Sequence, residues 1–464
     1  MVMSTFNHIQ GRNGSNWSHL MRSQEADKYC IVAIDAAKYV NTAMICTIFG
    51  DILRGPFEFD GSQTGFQVLK KEIDQTRDAY QLTHVILGIE TTAHYYEDLV
   101  RVCDQQGYMV RVINAATTAE ERKKMLNYTK TDRVDLQAIV QSILQGRGET
   151  SQKKADDLER LQTLTRARRR LINEQTRCMN VMRVYMDHIF REFQGKNVRK
   201  DGKNQVVKVF SEFTSKASLF LMRYYPHATD ILELEADGLR NLSIEHNLKL
   251  RDATIDRLLA YAKESISKPK EALAAELFLL RLKLDEYELL SRHTAELKEV
   301  IEELLLETDG GILLSIPGIG VTLAAELTAE MGDLNAFTHS GQLIKMAGTN
   351  PVVKQSGGKQ ASHFAISKQG RAAFRSVVYQ AGKCVATHNP EMNARYQQMK
   401  EQGKLSGQAY IALGNRILRL AYAMRKHQSL YQSTNPDYVL LTVIAGKLRN
   451  KAKQAVFFNH FVSV

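Results

Sequence analysis

Residues 29–35 read YCIVAID, six apolar residues followed by a carboxylate, and this stretch decides the fold. A second stretch of the same kind, HVILGIE, occupies residues 84–90 and ends in Glu90. Short apolar runs of this sort are typical of strands buried inside a sheet. A carboxylate that ends such a strand lies at the carboxyl edge of the sheet, where the sites of α/β proteins form.

The neighbouring segments predict a mixed sheet. We expect further strands at 41–49, 53–59 and 109–113, and helices at 66–80, 95–106, 117–125 and 132–145. Three strands followed by alternating helices and strands are the order of an RNase H-type sheet. Residues from about 152 to 308 read as almost entirely helical, and the segment 309–430 reads as a helical domain, so the predicted fold class is α/β plus all-α.

Two more carboxylates, Asp132 and Asp135, are three residues apart on a predicted helix and therefore share one face. Together with Asp35 and Glu90 they form an acidic quartet. Converging carboxylates repel one another unless a hard cation lies between them, and oxygen ligands favour Mg²⁺ or Mn²⁺ over Zn²⁺. Such a site can cut phosphodiesters, whereas any single acidic residue is more often a surface charge or a helix cap. The flanking Lys130 and Arg133 contact a nucleic-acid backbone or simply face solvent.

The helical segment 151–308 contains two features with open interpretations. The basic residues Arg168, Arg169 and Arg170 form either a surface that follows phosphates or a solvated helix face. Apolar residues repeat from 273 to 304 at alternating spacings of three and four, the pattern of a coiled-coil seam. We favour self-association through this seam over the alternative, a helical hairpin within one chain.

Residues 316–320 read IPGIG between an apolar segment and an Ala/Leu-rich helix, a pattern of helix-hairpin-helix motifs. The backbone N–H groups at Gly318 and Gly320 could approach a phosphate there, and a tight turn between helices is the alternative.

A second glycine-rich loop, NPVVKQSGGK, spans residues 350–359 and contains Ser356. Basic residues in and after it could bind phosphate: Lys354, Lys359, Lys368 and Arg371. Chemistry alone favours a plain glycine-rich turn, because no pair of a histidine and an aspartate accompanies the serine locally, so a protease-like triad is not supported.

The overall composition limits the possible classes. The formal net charge of +11 over 464 residues favours polyanionic partners, nucleic acid first. The five cysteines are scattered and read as buried thiols of a reducing cytoplasm. Neither a signal peptide nor a membrane span is expected.

These motifs, in this order, resemble the DEDD-type transposases of bacterial insertion sequences, the family of insertion sequences 110 and 1111. The resemblance runs from about residue 29 to 430. Its first three blocks are IDAAK at 34–38, GIETT at 88–92 and KTDRVD at 130–135. Its C-terminal blocks are IPGIG at 316–320, AGTNP at 347–351, QSG at 355–357 and ISKQG at 366–370.

The resemblance implies a domain plan and roles for the site residues. After a flexible tail at 1–28, it implies a RuvC-like domain at 29–150, a helical coiled-coil segment at 151–308 and a transposase domain at 309–430; a basic tail at 431–464 remains. The acidic quartet would bind Mg²⁺ or Mn²⁺. Ser356 would be the nucleophile that forms a covalent link to a DNA 5′ phosphate.

The resemblance also implies partners. These are double-stranded donor and target DNA, a structured bridge RNA that acts as guide, and further copies of the chain in a dimer or tetramer whose sites combine both domain types. We expect no membrane association, and a bacterial cytoplasmic protein that acts at the nucleoid. The expected function is an RNA-guided transposase. A metal-dependent junction nuclease that uses water, or an inactive architectural protein that binds nucleic acid, are the alternatives.

Overall fold

The chain forms two compact units in the computed structural model, residues 1–153 and residues 154–464. The structure describes residues 19, 22, 25–91, 93–124, 131–150, 156–200, 203–352, 355–356, 359–360 and 365–462. Most of the predicted tail at 1–28 therefore lies outside the described residues.

A six-stranded sheet forms the centre of the first unit. Its strands are β1 (Tyr29–Asp35), β2 (Val40–Thr47), β3 (Ile52–Asp60), β4 (His84–Glu90), β5 (Met109–Ile113) and the short β6 (Glu149–Thr150). Their order in the sheet is β3-β2-β1-β4-β5-β6. β1, β4 and β5 run parallel, whereas β2, β3 and β6 pair antiparallel with their neighbours. This arrangement confirms the predicted mixed sheet of the RNase H type.

Helices cover both faces of this sheet. They are α1 (Gln63–Tyr80), α2 (Tyr95–Gln105), α3 (Ala115–Lys124) and α4 (Asp132–Leu144). One apolar core lies between the sheet and α1 and α2, and a second core contains Ile139 and Ile143 of α4. β1 and β4 contribute side chains to both cores, which explains why their sequences are apolar without alternation.

The second unit is mainly helical. Its helices are α5 (Asp156–Ile189), α6 (Lys216–Tyr224), α7 (Ala228–Glu245), α8 (Asp252–Glu264), α9 (Ala274–Leu306), α10 (Val321–Met331), α11 (Gly341–Ala347), α12 (Ala372–His388), α13 (Pro390–Glu401), α14 (Ser406–His427), α15 (Leu440–Lys447) and α16 (Lys451–Phe461). It also contains two hairpins, formed by β7 (Lys196–Lys200) with β8 (Lys203–Val207) and by β9 (Gln355–Ser356) with β10 (Lys359–Gln360). The first hairpin corrects the expectation that residues 151–308 are almost entirely helical.

The leucine seam of α9 packs against α5 of the same chain. Gln175 Nε2 donates to Ser291 Oγ at 2.7 Å, and Cys178 Sγ contacts the carbonyl of Lys283 at 3.2 Å, so the two helices run antiparallel. Leu280, Leu284 and the other seam residues are buried or half-buried in this pair. The seam therefore packs against a helix of the same chain, as the alternative interpretation expects. A coiled coil between chains is not confirmed.

The predicted C-terminal tail at 431–464 contains two helices that pack onto the start of the segment 309–430. The 3₁₀ helix Asp309–Ser315 is buried there. Lys447 of α15 donates to the carbonyls of Leu314 and Ile316 at 2.5 and 2.6 Å, and the ring of Phe461 lies against Gly311.

The described residues include no helix that is both long enough and apolar enough to cross a bilayer.

Candidate active site

Asp35 and Glu90 lie side by side at the carboxyl edge of the sheet. They are the last residues of β1 and β4, and the parallel register pairs the residues just before them, Ile34 with Ile89. The Glu90 side chain is only 7% exposed, and Asp35 is half-buried. The burial of the two strands therefore fixes both carboxylates at one point, as their sequences predict.

α4 brings Asp135 to the same edge. Thr131 caps this helix through a hydrogen bond from the N–H of Val134 at 3.4 Å, and the acidic first turn is favoured by the helix dipole. Asp135 is 4% exposed, whereas Asp132 is exposed to solvent. The two aspartates share the first turn, but the structure buries only one of them beside Glu90.

Gly88 makes room for α4 on the sheet. A Cβ atom at this position of β4 would lie 2.1 Å from Ile143 Cδ1 and 3.1 Å from Ile139 Cγ2. The close approach of helix and strand depends on the missing side chain, and it sets the depth at which Asp135 is buried.

α3 supplies two further polar groups to the site. Arg122 Nη1 lies 2.6 Å from Asp135 Oδ1. The Thr118 hydroxyl donates to the Ala115 carbonyl at 3.0 Å and lies within reach of the Glu90 carboxylate, whose pKa it lowers. Thr118 and Arg122 are four residues apart and so project from one face of the helix. We did not single out either residue from the sequence. The helix was predicted, but the periodicity of one sequence does not tell which face meets the sheet edge.

The pKa of Glu90 reflects the charges and the burial around it. Burial raises the pKa of Glu90 above its usual range, and the charges of Asp35 and Asp135 act in the same direction. The Thr118 hydrogen bond and the Arg122 guanidinium oppose this rise. Asp35, Glu90 and Asp135 therefore share one electrostatic environment in which each additional negative charge is costly.

The donor set fits a hard divalent cation, because it consists of carboxylate oxygens. Within the described part of the chain, however, no three acidic, histidine or cysteine side chains are already placed to hold one ion together. The chemistry of the ligands suits Mg²⁺ or Mn²⁺, and the side chains must close in to bind it.

Ser356 lies in a hairpin of the second unit. It pairs with Lys359 across β9 and β10, with two glycines between them in the sequence. Only the backbones of Ser356 and Lys359 are described, and Lys354 lies outside the described residues.

Polar contacts hold the base of this hairpin. Asn350 and Ser367 are joined by a backbone hydrogen bond of 3.0 Å and a side-chain hydrogen bond of 2.7 Å. Asn415 of α14 accepts from the Thr349 hydroxyl at 2.5 Å and donates to the Thr349 carbonyl at 3.1 Å. Arg375 donates to the carbonyl of Lys368 at 3.1 Å. The exposed Lys368 and Arg371 follow this base directly.

The other predicted nucleic-acid contacts have mixed surroundings. Arg169 is held inside the chain, with Nη2 2.5 Å from Glu326 and Nη1 2.7 Å from Ser376, and burial lowers the pKa of Arg168. Arg169 therefore belongs to the contact of α5 with α10 and α12, and its neighbour Arg168 is partly buried. Arg170 is exposed. Arg133 is also exposed, and Lys130 lies outside the described residues.

The two glycines of the IPGIG turn have different roles. Gly318 has a φ of +87°, and a Cβ there would lie 3.0 Å from the carbonyl oxygen of Cys384 in α12, so it packs the turn onto that helix. Gly320 precedes α10 and has open space around it. The element before the turn is a 3₁₀ helix, so a helix-hairpin-helix of two α-helices is not confirmed.

Comparison with known proteins gives two family matches. Residues 32–191 match the family model DEDD_Tnp_IS110, described as a transposase, and residues 310–397 match the transposase IS116/IS110/IS902 family. Together the two segments cover about half of the chain and include the acidic quartet and Ser356.

Three curated relatives illustrate the similarity. An uncharacterized 42 kDa protein of insertion element IS900 from Mycobacterium paratuberculosis is 29% identical over 48% of this chain and 56% of its own length. The transposase for insertion sequence element IS1111A from Coxiella burnetii is 23% identical over 67% and 70%. A pilin gene-inverting protein from Moraxella bovis is 28% identical over 24% and 35%. The chain thus matches only about half the length of the IS900 relative.

Proposed function

The chain belongs to the IS116/IS110/IS902 family of DEDD transposases, and on this premise we propose that it moves an insertion sequence by cutting and rejoining DNA. The observation that carries the proposal is the adjacency of Asp35 and Glu90 at one sheet edge, with Asp135 buried in the same electrostatic environment. The relative named as a pilin gene-inverting protein supports DNA rearrangement as the type of reaction.

In this proposal Asp35, Glu90, Asp132 and Asp135 hold Mg²⁺ or Mn²⁺. When bound, such a cation polarises the scissile phosphate and stabilises charge on its oxygens. The chain itself brings three of the carboxylates to one edge, and the exposed Asp132 is the ligand that is free to approach from solvent. Burial of Asp135 and Glu90 limits competition by water at the site.

Ser356 is the proposed nucleophile. Its Oγ attacks the phosphorus of the scissile phosphodiester, so that an Oγ–P bond forms and the bond from phosphorus to the 3′ oxygen breaks. The proton lost by the serine hydroxyl balances the proton gained by the leaving 3′ oxygen. Attack by the 3′ hydroxyl of another strand then reverses these changes, so rejoining needs no external energy source. Lys359, Lys368 and Arg371 are proposed to bind the DNA phosphates near this serine.

The proposed partners are donor and target DNA, a bridge RNA and further copies of the chain. The net charge of +11 supports polyanionic partners, and the family supports DNA. The quartet lies in the first unit and Ser356 in the second. In a dimer or tetramer, a site could be formed by the first unit of one subunit and the second unit of another. DNA would then be cut only after the subunits have assembled.

The covalent step is tested with Ser356→Ala. Purified protein with its copurified RNA is incubated with labelled DNA carrying the element ends and Mg²⁺, and adducts are separated on a denaturing gel. We expect the variant to bind DNA normally and to form no adduct, while the control Ser362→Ala forms it at the wild-type level. An undiminished adduct in Ser356→Ala overturns the assignment of the nucleophile. Nicked DNA without an adduct from the wild-type protein indicates the water-using nuclease instead.

RNA guidance is tested by purifying the protein from a host that carries the native element and sequencing the bound RNA. We expect one structured RNA encoded by the element. Recovery of no specific RNA removes the guided part of the proposal and leaves a recombinase that recognises DNA by itself.

A further inference from the structure

Arg122 occupies a position that the proposed metal ion also needs. Its guanidinium lies 2.6 Å from Asp135 Oδ1, and the side chains of the two residues are 22% and 5% exposed. The positive charge of Arg122 also acts on Glu90. The guanidinium of Arg122 therefore offsets part of the repulsion among the carboxylates, which would otherwise destabilise this edge.

The position of α3 does not depend on this ion pair. Glu121 of the same helix accepts from Gln145 Nε2 at 2.8 Å and lies 3.3 Å from Arg147, and both partners follow α4. The helix remains anchored when Arg122 moves, and an arginine side chain can move its charge by rotating about its stem.

We propose that Arg122 competes with a divalent cation for Asp135: the guanidinium holds this carboxylate and must leave it before the carboxylates can close around an ion. The inference rests on the proposed function, because it assumes that the quartet binds metal. The guanidinium on Oδ1 neutralises part of the negative charge of Asp135, so it weakens the attraction of this carboxylate for a metal ion at about 2.1 Å.

The first test measures Mn²⁺ binding by the electron paramagnetic resonance signal of the free ion, with the full-length protein. We expect Arg122→Gln to bind Mn²⁺ about five to ten times more tightly than the wild type, because a competing charge worth about 1 kcal/mol is removed. The matched control Lys123→Gln removes the same charge from the exposed neighbouring position and should leave the affinity within about twofold. Equal or weaker binding by Arg122→Gln overturns the inference.

The second test compares thermal unfolding in EDTA and in saturating Mn²⁺. If Arg122 leaves Asp135 when metal binds, Arg122→Gln lowers the unfolding temperature in EDTA, and this deficit disappears in Mn²⁺. A permanent structural clamp would give the same deficit under both conditions, which contradicts the competition.

A third measurement does not depend on how a variant folds. Phenylglyoxal modifies accessible arginines, and mass spectrometry of the wild-type protein gives the rate at Arg122. We expect faster modification in Mn²⁺ than in EDTA, and an unchanged or slower rate contradicts release of the side chain.

Failure of this inference can be told apart from failure of the proposed function. Asp35→Asn should weaken Mn²⁺ binding if the quartet is the metal site. If it does not, the proposed metal site is wrong. If it does, and neutral variants of Arg122 still bind no more tightly, only the competition is wrong.

Discussion

The acidic edge of the first unit and the serine hairpin of the second unit present their functional residues in opposite ways. Asp35 and Glu90 end strands that are buried on both faces, so the core of the unit fixes them directly. Ser356 lies in a short hairpin whose base is held by side-chain hydrogen bonds from Asn350 and Asn415. Packing thus positions the carboxylates, whereas a polar network holds the base of the serine hairpin.

The difference has a physical consequence. A core of close-packed apolar side chains tolerates little displacement of the backbone, so the acidic edge fixes where the carboxylates begin, and only their side chains need to move to close around an ion. The serine hairpin is tied to the second unit by polar contacts at its base, and it is the segment proposed to present a nucleophile to DNA.

The largest expected effect is on strand transfer, and it separates the proposed metal binding by the acidic edge from the proposed covalent step at the serine hairpin. Asp35→Asn and Glu90→Gln should each reduce strand transfer by at least about a thousandfold, because a carboxylate ligand is lost at the centre of the site. Both should also weaken Mn²⁺ binding, measured by paramagnetic resonance. Ser356→Ala should abolish the covalent adduct and leave Mn²⁺ affinity unchanged. Weakened Mn²⁺ binding in Ser356→Ala would show that the two regions are not separable in this way.

The second prediction breaks the polar base of the hairpin. Asn415→Leu leaves the buried Thr349 carbonyl without the Asn415 donor and leaves the Thr349 hydroxyl only its longer bond of 3.4 Å to the Ile344 carbonyl, so we expect a loss of about 2 kcal/mol of unfolding free energy. Urea unfolding followed by circular dichroism measures this loss. The control Asn204→Leu changes the same residue type at an exposed position of β8 and should cost little. Equal stability of the two variants would mean that the network does not support the base.

The third prediction concerns Lys447, which supports the segment before the IPGIG turn. Burial lowers the pKa of Lys447 to about 7, so between pH 7 and 10.5 the unfolded chain binds more protons than the folded chain. Stability must then rise with pH in this range, by about 2 kcal/mol between pH 7 and 9. Urea unfolding at the two pH values measures the rise.

Lys447→Met should remove most of this rise in stability, whereas Lys451→Met at an exposed position should keep it. The same slope in all three proteins would assign the pH dependence to other groups and would contradict a titrating Lys447.

The smallest expected effect tests the packing that positions Asp135. Gly88→Ala should cost about 1 to 2 kcal/mol, because the new methyl group meets Ile143 Cδ1. Ile143→Val removes that atom and should recover part of the loss in the double variant, as measured by urea unfolding. Gly55→Ala has open space around its Cβ and serves as the control. Additive losses in the double variant would show that Ile143 is not the obstacle.

The sequence predicted the sheet and the acidic edge because the signals there are local. An unbroken apolar run such as residues 29–34 indicates a strand buried on both faces, and the residue that ends it is placed by chain geometry alone. The bounds of β4 were predicted correctly, and those of the four helices of the first unit to within three residues. The role of Ser356 stays a prediction, because it depends on the resemblance of its motif.

The partners of amphipathic faces could not be predicted in the same way. The spacing of leucines in α9 identified an apolar face, but not that α5 of the same chain covers it. The basic residues of α5 suggested a surface for phosphates, yet Arg169 binds Glu326, which is 157 residues away in the chain. Periodicity records which side of a helix is buried or charged, and it contains no information about the element opposite.

By itself the sequence determined which residues end buried strands, which positions share a helix face and which motifs stand in which order. Only the tertiary structure decided that α9 packs against α5, that the C-terminal helices close over residues 309–316, and that Arg122 lies on Asp135. The physical reason is range: backbone preference and burial act over a few residues, whereas these contacts join segments that meet only after the chain has folded.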